Sequence, residues 1–111
     1  MVGLTSVPLR GDAVWIDFNP QAGHEQAGRR PAIVLTTRDF NDKTNLAVFC
    51  PITRSPTREQ RSPFAIAIPQ GLQIDGFILA DQIRTMDWRA REVEFICSVP
   101  TETVDAVLER I

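Results

Sequence analysis

A chain of 111 residues, 43% hydrophobic and 23% charged, is long enough for one domain with one core and too balanced in composition for wholesale disorder. Its net charge of −2 excludes a protein that is basic throughout, and no stretch approaches the roughly 18 uninterrupted apolar residues of a membrane span. The first ten residues lack the basic start and apolar run of a secretory leader, so a single domain over residues 1–111, cytoplasmic and not membrane-bound, is expected.

Short runs that alternate apolar and polar residues, or are rich in β-formers, are separated by turn formers, which predicts a small antiparallel barrel. The first run is Asp12 to Phe18, with Val14, Ile16 and Phe18 on one face. A polar loop with two glycines follows, from Asn19 to Gly28. Pro31 to Thr36 is nearly all apolar, the pattern of a strand buried on both faces, and Pro31 holds Arg30 extended at its mouth. Thr37 to Thr44 can hold a single helical turn. Leu46 to Ile52 is a third strand, which Pro51 should end or place at an edge, because proline has no donor for a central ladder. Thr53 to Ser62, with three arginines, two serines and a proline, predicts an exposed loop. Phe64, Ile66 and Ile68 alternate as a fourth strand, and Gly76 to Asp81 and Ile83 to Trp88 continue the sheet. Only the tail changes period: Val104, Val107, Leu108 and Ile111 form the stripe of an amphipathic helix started by Pro100 or Thr101.

Cys50 and Cys97 lie in apolar runs far apart in the chain, and His24 is the only histidine. Zinc would lack its preferred ligands, so buried reduced thiols and no metal are expected. The charges are uneven. Seven cations face four acids between His24 and Arg61, a balance of +3, while four arginines face eight acids from Asp75 to Ile111, a balance of −4. An acidic protein can therefore carry one basic surface that attracts phosphates. Eleven of the twelve cations are arginine, whose guanidinium grips phosphate with two parallel hydrogen bonds, although a GC-rich genome would give the same bias.

Three long segments point further. They are Gly11-Asp12, Val14 to Pro20 and Gly23-His24-Glu25-Gln26-Ala27-Gly28-Arg29-Arg30-Pro31-Ala32-Ile33-Val34-Leu35; then Cys50-Pro51-Ile52-Thr53; and Leu79-Ala80-Asp81-Gln82-Ile83-Arg84-Thr85-Met86-Asp87-Trp88-Arg89-Ala90-Arg91. In this order they closely resemble the MazF/PemK/Kid toxins. That resemblance implies an SH3-like, PemK/CcdB-type antiparallel barrel, mainly β, with a C-terminal helix, and a homodimer. It also implies metal-independent, cofactor-free endonucleolytic cleavage of single-stranded RNA at short sequences, leaving a 2′,3′-cyclic phosphate or 3′-phosphate and a 5′-hydroxyl. A cognate MazE/PemI-like antitoxin, whose flexible tail fills the RNA groove, is implied as partner.

Such cleavage needs a base for the 2′-hydroxyl, a donor for the leaving 5′-oxygen and positive charge on the phosphorane. Arg30 matches the family's catalytic arginine; too basic to accept a proton, it is assigned phosphate stabilisation, with proton donation to the leaving group open. Thr53 matches the family's active-site threonine, whose hydroxyl can donate to a phosphate oxygen. His24 and Glu25 are the nearest proton acceptors; the histidine needs little pKa shift to serve, the glutamate a raised pKa. Asp81 matches an aspartate with a role in part of the family, but Leu79 stands where those members carry an arginine, so Asp81 is supporting. Gln26, Arg29, Arg54, Ser55, Arg58 and Arg61 are candidate RNA contacts. Trp15 and Trp88 could stack bases, with core packing the stronger reading for Trp15. Two rivals stand beside this reading: a CcdB-like, non-enzymatic toxin acting on DNA gyrase, whose terminal Trp-Gly-Ile is missing from Leu108-Glu109-Arg110-Ile111, and an inactive relative that binds only RNA or antitoxin.

Overall fold

The computed structural model describes residues 6–19, 28–54 and 63–111. The expectations placed on His24, Glu25, Gln26, Ser55, Arg58 and Arg61 lie outside the described residues. Among the described residues seven strands and two helices follow in the order β1 (Asp12–Asp17), β2 (Arg29–Val34), α1 (Arg38–Thr44), β3 (Leu46–Thr53), β4 (Ala65–Ala67), β5 (Phe77–Leu79), β6 (Arg84–Asp87), β7 (Glu94–Ser98) and α2 (Thr101–Leu108). All strand pairs are antiparallel, in the order β4-β5-β3-β2-β1-β7, with β6 as a further partner of β3. The protein is mainly β, a barrel-like antiparallel sheet with a C-terminal helix.

Both faces of this sheet are covered, which explains why β2 is apolar without alternation. Ile33 packs with Cys50, Ile52, Ile78 and, from α2, Val104 and Val107. Its neighbours Ala32 and Val34 point the other way, into a second cluster with Ile16, Phe18, Phe49, Met86 and Trp88. The C-terminal stripe is only half used: Val104 and Val107 are buried, whereas Leu108 and Ile111 remain exposed.

The structure places Pro51 inside a central strand, contrary to the expectation that it would end the strand or put it at an edge. β3 runs on to Thr53, with Pro51 facing Ala32 of β2. Leu35 N donates to Val48 O across the same pair, so the alternation makes Pro51 a non-hydrogen-bonded position towards β2. On its other side β3 pairs with β6 only as far as Phe49 and with β5 only from Ile52. The missing N–H falls in the gap between the two partners.

The segment after β2 forms seven residues of helix rather than one turn. Thr37 Oγ1 accepts from Phe40 N at its start, and Asn45 closes it in the left-handed region. Asn41, fully buried, ties the helix down: its side chain donates to Pro8 O at 2.8 Å and Thr36 O at 3.1 Å, and its carbonyl accepts from Trp88 Nε1 at 2.9 Å. Strand β7 was not anticipated. Its apolar residues are unevenly buried, with Phe95 60% exposed, and its pairing with β1 is interrupted between Ala13 and Val14. Among the described residues no helix is long and apolar enough to cross a membrane.

Candidate active site

Arg30 and Thr53 arrive from the ends of two neighbouring strands. The β2–β3 register sets Ala32 against Pro51; continued by two residues, it sets Arg30 across from Thr53. Alternation then gives Arg30 and Thr53 one face of the sheet and Trp15, Pro31 and Ile52 the other. All five border one open groove of about 620 Å³, together with Arg29, Arg54, Gln73, Ile74 and Ile96. The groove thus has a basic rim and an apolar wall.

The three arginines at this rim are differently engaged. Arg29 Nη2 sits 3.0 Å from a Glu94 carboxylate oxygen and also donates to Glu92 O at 3.0 Å. Arg54 Nε lies 3.1 Å from Asp75 Oδ1, in a pair whose side chains are mostly exposed and so contributes little to stability. Arg30 Nε is buried and has no hydrogen-bond partner. A buried donor without an acceptor costs about 1–3 kcal/mol, which makes it the place in the groove where an incoming anion gains most.

Gly76 sets the position of Thr53. Its φ of +119° is open to glycine and strained for any side chain, and a β-carbon there would lie 2.9 Å from the Thr53 carbonyl carbon and 3.0 Å from Arg54 Cα. The obstacle is backbone, which cannot swing aside. Gly76→Ala is therefore expected to cost roughly 1–3 kcal/mol in a chemical melt and to slow any reaction that uses Thr53. A variant with wild-type stability would show that the backbone accommodates the methyl group.

Asp81 is exposed on the turn after β5 and is not among the groove residues. It stands instead near Cys50. Burial, and secondly the Asp81 charge, push the Cys50 thiol up to about 12, and both cysteines are buried and free. Among the described residues no group of three His, Cys, Asp or Glu side chains is placed to hold a metal ion.

The two tryptophans exchange the places expected of them. Trp88 is wholly buried, with its indole N–H on Asn41 O, and cannot stack on a ligand. Trp15 is 39% exposed at the groove wall. Gln73, Ile74 and Ile96 were not anticipated as lining residues.

The arrangement is that of a small barrel-like β protein fitted to take an anionic ligand across the end of its sheet. The chain belongs to the PemK-like, MazF-like toxins of type II toxin-antitoxin systems, whose sequence profile matches residues 9–111. It is 38% identical over 105 residues to the endoribonuclease toxin MazF of Escherichia coli (strain K12), covering 95% of this chain and 91% of that one. The crystal structure of MazF from Deinococcus radiodurans is 40% identical and superposes with a TM-score of 0.87, covering 94% and 92% of the two chains. A MazE-MazF crystal structure from the same organism is 40% identical, with a TM-score of 0.81 and coverage of 94% and 91%.

Proposed function

We propose that this chain is a metal-independent endoribonuclease that cuts single-stranded RNA at short sequences, and that it acts as the toxin of a cytoplasmic toxin-antitoxin pair. The observation that carries the reading is the buried, unpartnered Nε of Arg30 beside Thr53 in a basic groove. The attacking 2′-oxygen forms a bond to phosphorus as the bond from phosphorus to the 5′-oxygen breaks, giving a 2′,3′-cyclic phosphate and a 5′-hydroxyl. The 2′-hydroxyl proton goes to a base, for which His24 and Glu25 are the proposed acceptors, and the 5′-oxygen takes up a proton as it leaves. Arg30 holds the charge that builds on the phosphorane, and the Thr53 hydroxyl donates to a non-bridging oxygen. Arg29 and Arg54, with Gln26, Ser55, Arg58 and Arg61, are proposed to hold the flanking strand, and Asp81 to support the site from outside the groove.

The same basic groove suits the acidic tail of a MazE-like antitoxin, and names of similar proteins support both partners. A homodimer is part of the proposal, supported by the resemblance to the MazF/PemK/Kid toxins. The test is to incubate the purified chain with a long RNA and map both new ends. Cleavage should leave 5′-hydroxyl ends, persist in excess EDTA, and fall as antitoxin fills the groove. Binding of RNA without cleavage, or cleavage lost to EDTA and restored by magnesium, would count against the mechanism.

A further inference from the structure

The basic rim of the groove carries its own anions. Glu94, on β7, faces Trp15 of β1 in the sheet register, and its carboxylate reaches over β1 to Arg29 Nη2, on β2, at 3.0 Å. The same nitrogen donates to the Glu92 carbonyl, just before β7, at 3.0 Å. Asp75 precedes Gly76, and the missing β-carbon of that glycine lets the segment close on the backbone of Thr53 and Arg54. The approach brings Asp75 Oδ1 to 3.1 Å from Arg54 Nε. Backbone placement thus delivers both carboxylates to the rim, one by strand register and the other by a glycine turn. Both stay open to solvent, their side chains 68% exposed in Glu94 and 74% in Asp75.

The uneven charge of the chain acquires a meaning here. Arg29 and Arg54 belong to the stretch with a balance of +3, Glu94 and Asp75 to the stretch with −4. Folding lays one against the other at the groove, so these two arginines are neutralised in pairs, while Arg30 in the same groove keeps a buried Nε without a hydrogen-bond partner. Exposed pairs of this kind contribute little to stability. They matter more for what can bind. Carboxylate and phosphate both offer a guanidinium two parallel acceptors. An arginine already holding a carboxylate therefore gains less from a phosphate than one holding only water.

We propose that Glu94 and Asp75 set the affinity of the groove for RNA: they are built-in counterions that RNA phosphates must displace from Arg29 and Arg54. This rests on the functional reading above, in which those two arginines hold the flanking strand. Charge alone then holds a polyanion weakly at the rim, and the grip depends on the Arg30 and Thr53 contacts to phosphate and on the ring of Trp15. The salt dependence of binding changes with it, because it counts the cations that RNA sheds where its phosphates are neutralised. A phosphate that shares its arginine with a nearby carboxylate is only partly neutralised and sheds fewer.

The experiment measures binding of an RNA with a 2′-deoxy nucleotide at its mapped cut site, from about 50 to about 200 mM salt, to wild type, Glu94→Gln and Asp75→Ala. Asp39→Asn is the control: it makes the same change in net charge by opening the exposed Lys43–Asp39 pair on α1, which does not line the groove. At the low end each rim variant should bind about three- to tenfold more tightly than wild type, the effect of removing one like charge beside a phosphate in a watery setting. The slope of log affinity against log salt should steepen by up to about 0.7 for each carboxylate removed, so the advantage shrinks at the high end. Asp39→Asn should shift affinity by less than about twofold, since salt screens charges away from the groove. Rim variants that bind no better than Asp39→Asn overturn the proposal, as does tighter binding with an unchanged slope. Weaker binding also overturns it, since the carboxylates would then be holding the arginines in place for RNA. Should Asp75→Ala fail to fold, Glu94→Gln decides by the same criteria. If the wild-type protein neither binds nor cuts RNA, the functional reading fails. The same comparison with inorganic polyphosphate then decides separately whether the carboxylates compete with phosphate, tighter binding in the rim variants upholding the competition and equal binding refuting it.

Discussion

Arg30→Ala should leave a folded protein that cuts a mapped RNA site about 100 to 1000 times more slowly than wild type, a loss of roughly 3 to 4 kcal/mol of transition-state stabilisation. The effect is large because the guanidinium meets charge that exists only while the phosphorane forms, in a groove where its Nε has no competing partner. For the same reason stability should hold or rise slightly. Removing a buried donor that lacks an acceptor relieves a penalty of about 1–3 kcal/mol, which offsets the packing lost with the side chain. Arg30→Lys keeps the charge without the planar fork and should recover only part of the rate. Single-turnover cleavage beside a thermal melt reads both quantities, and an Arg30→Ala protein that melts normally and cuts at the wild-type rate would remove Arg30 from the mechanism.

The tryptophans give the other large effect, and they should separate cleanly. Trp88→Ala empties the middle of a core shared with Phe18, Phe49 and Met86 and removes one of the two donors on the carbonyl of Asn41, which keeps the Asn45 N–H. It should cost about 3 to 5 kcal/mol, a large part of the roughly 5 to 15 kcal/mol that holds a domain of this size together. Trp15→Ala should cost little stability, since the ring is already 39% exposed. It should instead weaken RNA binding by about 1–3 kcal/mol, the range for one base stacked on an aromatic ring. Denaturant melts and binding to an RNA carrying a 2′-deoxy nucleotide at the cut site distinguish the two. Unchanged RNA affinity in Trp15→Ala would leave the groove without its stacking surface.

That exchange of roles shows where sequence carries structure and where it stops. The alternation of Val14, Ile16 and Phe18 already assigns Trp15 to the opposite face, which Ala13 shares. What sequence did not say was how open that face is beside Ile96, since it depends on β7. β7 itself escaped because periodicity presumes one buried face, and this edge strand leaves Phe95 outside. Pro51 misled for a similar reason. A proline is forbidden in a ladder only where its N–H is needed, and the gap between β5 and β6 is a property of two partners distant in sequence. The double-sided burial of β2 and the cysteines' apolar settings were legible because they depend on local composition. Arg30 and Thr53 came from family resemblance, and only the register explains why they meet.

The pairing of β1 with β7 has a bearing on when the molecule becomes complete. β1 leaves the ribosome before five further strands and a helix, and only then comes its second neighbour, β7. Trp15 therefore waits for Ile96 to close the wall beside it, and the hydrogen bonds from Arg91 to the Asp17 carbonyl and from Arg84 to the Phe18 carbonyl wait as well. Contacts so far apart in sequence form late, because the intervening chain must be ordered before they are gained. A nascent copy that has not yet made β7 is thus an unfinished vessel, and the wall of its groove closes only once that strand has emerged.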